Sequence, residues 1–181
     1  MVKKIWEIYK IQLFVSLTLV IALIATNIIN RPTYNALIIL GVFFGTFFLD
    51  LDYVVYAYFL DPEKSFSKTL RGFVEHKDLS GALNHIYYNK KEVKEKTLNS
   101  VLFQIVLAGA ALFVVSSTSS FFVKALVLST FANSIYKMAI YYFDGKADQW
   151  FWSLKKTPSE NGILIYGVIM FMILVYSVTL F

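Results

Sequence analysis

The 181-residue chain is 57% hydrophobic, 18% aromatic and only 16% charged, whereas soluble domains are about 45–50% apolar and about 25% charged. It has no cysteine, which excludes disulfides and thiolate metal sites. A net charge of +5, without any nucleic-acid-binding motif, fits basic loops that set topology and attract anionic lipid rather than a nucleic-acid partner.

The expected class is all-α, a polytopic membrane bundle of about five spans forming a single domain over residues 1–181. The first span covers residues 11–29. Its apolar run exceeds the ~7–15 residues of a signal-peptide core, and no A-x-A-like cleavage site follows, so it reads as a retained anchor. A polar turn, NRPTYN, leads into the second span, residues 36–60. A span needs roughly 20 apolar residues, and this run reaches that only with Asp50 and Asp52 within the hydrocarbon or just under it. One mid-bilayer aspartate costs about 2.5–3.5 kcal/mol on insertion scales. Both acids therefore need a cation, a metal, water or hydrogen-bond donors. Gly41 and Gly45 form a GxxxG pair suited to close helix approach. Helical stepping puts Gly41, Gly45, Phe48 and Asp52 on one face and leaves Asp50 nearly opposite, beside Thr46, unless the helix is distorted at DLD.

Residues 61–96 form the largest polar segment. Phe66, Leu70, Phe73 and Val74 recur at helical spacing, which predicts an amphipathic helix on the membrane surface. A second short helix follows, capped by Asp78, with Leu83, Ile86 and Tyr87 on its apolar face. The third span, residues 97–115, carries a small or polar stripe of Ser100, Gln104, Ala108 and Ala111. The fourth, residues 121–143, presents Ala125, Ser129, Asn133 and Lys137 at i, i+4 intervals. Trp150, Phe151 and Trp152 suggest an interfacial aromatic anchor before the fifth span, residues 162–181. Lysine and arginine are crowded at the N-terminal end and in the loops 61–96 and 144–161, against Arg31 alone on the other side. This predicts a multi-pass protein of the cytoplasmic membrane with a cytoplasmic N-terminus.

In that topology Asp50, Asp52, Asn99, Gln104, Asn133 and Lys137 enter one layer of the inner half of the bundle. Intramembrane ionisable groups are functional-site hypotheses by default. Plainer alternatives stand beside this: a span ending at Leu49 leaves both acids in headgroup water, Lys137 can snorkel to the boundary, and the asparagines can simply bond between helices. His76 and His85 fall in the charged 61–96 segment, where solvated histidines are the ordinary case.

At these residues the chain resembles the membrane-bound metal-dependent hydrolase family, also described as LexA-binding inner-membrane hydrolases. That family carries a PDxD-type carboxylate motif, then H-R-G-x-T-H-S opening a later span, then an H-x3-D pair. Here the first motif stands as LDLDY, with Asp50 and Asp52 but no proline. The second stands as KEKTLNSVLFQ, with Lys94 and Asn99 at the histidine positions and Ser100 following. The third stands as ANSIYKM, with Asn133 at the histidine and Lys137 at the aspartate. The resemblance covers roughly residues 41–152, by pattern and order. It implies a divalent-metal site whose histidines are gone, since amide is a weak ligand and ammonium is none.

The leading expectation is a catalytically silent relative with a structural or interaction role and no cofactor. In it, Asp50 or Asp52 pairs with Lys137, buttressed by Asn99, Asn133 and Gln104. Its partners are membrane lipids and a possible protein at the 61–96 segment. The alternative is a metal-dependent membrane hydrolase holding zinc or manganese on Asp50 and Asp52, completed by His76 or His85. A transport component ranks last, because the spans show no inverted repeat.

Overall fold

The computed structural model describes residues 2–27, 31–89, 93 and 96–181, with the side chains of residues 2–8 and of Leu79 left aside. The described chain is all-helical, without strands. In order come α1 (Val2–Thr26), α2 (Pro32–Phe48), a 3₁₀ turn (Leu49–Leu51), α3 (Asp52–Val55) and a π turn (Tyr56–Leu60). Then follow α4 (Ser65–Glu75), α5 (Leu79–Asn89), α6 (Val101–Ser117), α7 (Phe121–Phe143), α8 (Ala147–Trp150) and α9 (Glu160–Thr179).

Three helical stretches are long and apolar enough to cross a membrane: Tyr9–Thr26, Pro32–Leu60 and Glu160–Thr179; Val101–Ser117 is apolar but shorter. Large apolar side chains such as Phe14, Ile21, Phe43, Phe113, Ile165 and Val168 stand exposed along these helices, a surface suited to lipid rather than water. The chain therefore has the character of a membrane protein.

Helix ends follow local chemistry. Pro32 occupies the first turn of α2, where its missing N–H costs nothing. Ser100, Ser120 and Ser159 cap α6, α7 and α9 by accepting from Phe103, Val123 and Gly162. Past α7, Gly145 takes φ +68°, and Lys146 N–H closes the turn onto Tyr141 O at 2.8 Å.

α7 is the axle. It touches α1, α2, α6, α8 and α9, and buries Ala125, Leu128, Ser129, Phe131, Ala132 and Asn133 among others. A helix buried nearly all round needs partners on every side. Its closest partner is α2, where Gly41 and Gly45 leave room for the α7 backbone. A Cβ at Gly45 would sit 2.5 Å from Leu126 O and 2.7 Å from Ser129 Cβ, and one at Gly41 would collide with Phe122 O and Ala125.

The polar segment differs from the expected surface-lying helix. The apolar face of α4, Phe66 and Leu70 with Phe73 and Val74, packs on Tyr53, Tyr56 and Ala57, and on Ala82, Ile86 and Val93. Protein covers that face. Asp78 does cap α5, accepting from Gly81 N–H at 2.9 Å, but the buried face turns on Ala82 and Ile86 while Leu83 and Tyr87 stand more than a third exposed.

Candidate functional site

The site begins where α2 changes pitch. Leu49–Leu51 is wound as a 3₁₀ turn, which advances about 120° per residue instead of about 100°. This is the distortion that lets Asp50 and Asp52 both turn into the protein, toward different neighbours.

Asp52 is fully buried. Its Oδ1 accepts Thr97 N–H at 2.9 Å; its Oδ2 accepts Asn99 N–H at 2.9 Å and Asn99 Nδ2–H at 2.8 Å. Asn99 Nδ2 also donates to Leu49 O at 3.0 Å. Thr97 and Asn99 are bonded to Asp52, residues 97–100 form bends rather than helix, and Ser100, at φ −143°, is the N-cap of α6. The expected third span thus starts late: α6 begins at Val101, not at residue 97. This is a correction: the bends bonded to Asp52 precede α6, and Ser100 caps it.

Asp50 meets Lys137. Nζ lies 2.7 Å from Oδ1, with the side chains 14% (Lys137) and 21% (Asp50) exposed, and Tyr9 is beside the same carboxylate. The ion pair is thus made by Asp50, and Asp52 is held by N–H donors alone. Asn99 buttresses Asp52 as expected, but Asn133 and Gln104 do not join the acids. Asn133 Nδ2 donates to Ser16 Oγ at 3.1 Å and Ser129 O at 2.9 Å, in a knot where Ser16 and Thr46 hydroxyls lie 2.7 Å apart. Ser129 reaches Val42 O at 2.9 Å. Gln104 Oε1 accepts from Trp150 Nε1 at 3.2 Å and the Tyr166 hydroxyl at 2.9 Å. The single polar layer read from the sequence is three separate knots.

Gln104 also explains the aromatic run. Trp150 and Phe151 are buried, 0% and 2% exposed, packed with Val101, Met138 and Ile163. Only Trp152 has its ring partly outside, and its Nε1 donates to Lys96 O at 2.9 Å. The interfacial anchor is reduced to that one ring.

A residue that the sequence reading did not select lies beside the acids. Lys96 is 6% exposed, with Nζ 2.8 Å from the Tyr141 hydroxyl and 3.2 Å from the Tyr53 hydroxyl. Burial, and next the nearby Lys137 charge, pull it down from the ordinary lysine range to about 8. A lysine just before an apolar run resembles any topology-setting flank, so only the fold reveals it.

The donor set does not suit the divalent metal that the resemblance implies. Asp52 already accepts three N–H bonds that a metal would have to displace, and Asp50 holds the Lys137 ammonium on Oδ1. His85 is engaged elsewhere, its Nε2 3.0 Å from Phe66 O and its Nδ1 3.1 Å from Asn89 Nδ2, stacked on the Phe66 ring. His76 is the exposed C-cap of α4. Among the described residues no group of three or more His, Asp or Glu side chains converges on a common point. Asp50, Asp52, His76 and His85 are therefore not brought together. Lys94 lies outside the described residues. No family model, curated protein or solved structure matches this chain.

Proposed function

We propose that this chain is a multi-pass protein of the cytoplasmic membrane with a structural or interaction role, a catalytically silent relative of the membrane metal-dependent hydrolases. In this reading the acids hold the bundle together, and Lys137 supplies in cis the positive charge that an ion supplies in the family. The observation that carries it is the 2.7 Å contact between Asp50 and Lys137, beside an Asp52 whose oxygens are taken up by Thr97 and Asn99. A part-buried carboxylate with a fixed ammonium is a means of fastening helices, and at Asp52 the bound N–H groups already occupy the positions that a metal would take.

The spans in this proposal are α1, α2 with its extension to Leu60, α6, α7 and α9, the N-terminal end and the loops 61–96 and 144–161 being cytoplasmic. The distribution of lysine and arginine supports that orientation. Lipid covers the outward apolar faces, and the α4–α5 hairpin is the surface offered to a protein partner.

The test is metal content. Protein purified without chelator and assayed by elemental analysis is expected to carry no stoichiometric zinc or manganese. About one equivalent per chain, lost in Asp50→Asn, would instead favour the metallohydrolase alternative and overturn this reading.

A further inference from the structure

We propose that Lys96 is a proton-sensitive latch: as a neutral amine it seats between Tyr53 and Tyr141 and fastens the strap 96–100 to the bundle, and as an ammonium it holds that strap less firmly. The strap connects the α4–α5 hairpin to α6 and is pinned at successive points. Trp152 Nε1 holds Lys96 O at 2.9 Å, and Asp52 holds the N–H groups of Thr97 and Asn99. The pin between them is the Lys96 side chain, 4.8 Å from the Tyr53 ring centroid and 5.6 Å from that of Tyr141. Two phenol oxygens match the two N–H bonds of an amine, whereas an ammonium brings a third donor. Among the described residues no carboxylate forms an ion pair with Lys96. Around it, Lys137 of α7 and Lys146 beyond α7 oppose the cation, while Asp52 of α3, Asp50 of the 3₁₀ turn and the faces of the two tyrosine rings favour it. The opposition and burial prevail, leaving Lys96 at about 8 in the fold against 10.5 ordinarily.

The sign follows. Between those values the unfolded chain binds the proton and the fold sheds it, so stability rises with pH across this window and is reduced below about 8. In detergent, the unfolding temperature of the unmodified protein is expected to rise by about 5 °C from pH ~7.5 to ~9.5. Lys96→Met is expected to flatten this slope at the high level, and Lys96→Arg to flatten it at the low level. Over the same range, hydrogen exchange at Thr97 and Asn99, corrected for intrinsic rate, is expected to slow in the unmodified protein. A slope that persists in Lys96→Met, or exchange protection at 97–100 that ignores pH, would overturn the proposal. The Met variant and the exchange measurement decide the matter even if the Arg variant does not fold.

Discussion

Three N–H groups aim at one carboxylate, and that makes Asp52 an acceptor which no isosteric side chain replaces. In Asp52→Asn one oxygen becomes an NH₂ that faces donors, leaving buried N–H groups of Thr97 or Asn99 unpaired. Each such loss costs about 1–3 kcal/mol, so unfolding in detergent is expected to show destabilisation of about 3 kcal/mol. A change below about 0.5 kcal/mol would mean that the clasp contributes little. The two acids were conspicuous in the sequence because almost nothing else in residues 36–60 is polar. Their partners were less legible. Lys137 could be found because an ammonium inside an apolar helix raises the same question, yet helical stepping alone favoured Asp52 on the packing seam, and only the 3₁₀ turn assigns the pair to Asp50. Lys96 was hidden for the opposite reason, since a lysine at the edge of a span is ordinary.

Helix packing shows the same division between local and distant causes. The ends of α7 were readable, residues 121–143 in both sequence and structure, because a serine cap and a glycine stop lie beside it in the chain. The start of α6 was not, because the bends at 97–100 are bonded to Asp52, 45 residues from Thr97 in sequence. The Gly41 and Gly45 seam was legible as a motif, and the structure gives it a specific partner in the α7 backbone. Gly45→Leu is therefore expected to push α2 from α7 and cost about 2 kcal/mol or more, read as a lowered unfolding temperature. Gly109→Leu on α6, where an added Cβ meets nothing within 4 Å, is the control and is expected to be nearly neutral. Equal effects at the two positions would remove the special standing of the seam. The α4 face was recognised as apolar, but periodicity cannot say whether lipid or protein covers it.

For the whole molecule, composition already separated a membrane bundle from a soluble domain, and the all-helical structure with its three long apolar helices agrees with that. The arrangement across the bilayer is a proposal that the cysteine-free chain makes easy to test. Single cysteines at exposed Lys68 and Lys155 are expected to react with a membrane-impermeant thiol reagent from one side, and one at exposed Ser119 from the other. Reaction of all three from the same side would refute the five-span topology. The claim that the rest depends on is that the ammonium of Lys137 neutralises Asp50. A double-mutant cycle of Asp50→Asn and Lys137→Met tests it most directly, through unfolding free energies in detergent. The expected coupling is about 1–3 kcal/mol, with the double variant no less stable than either single one. Strictly additive losses, with no coupling between the two positions, would contradict it.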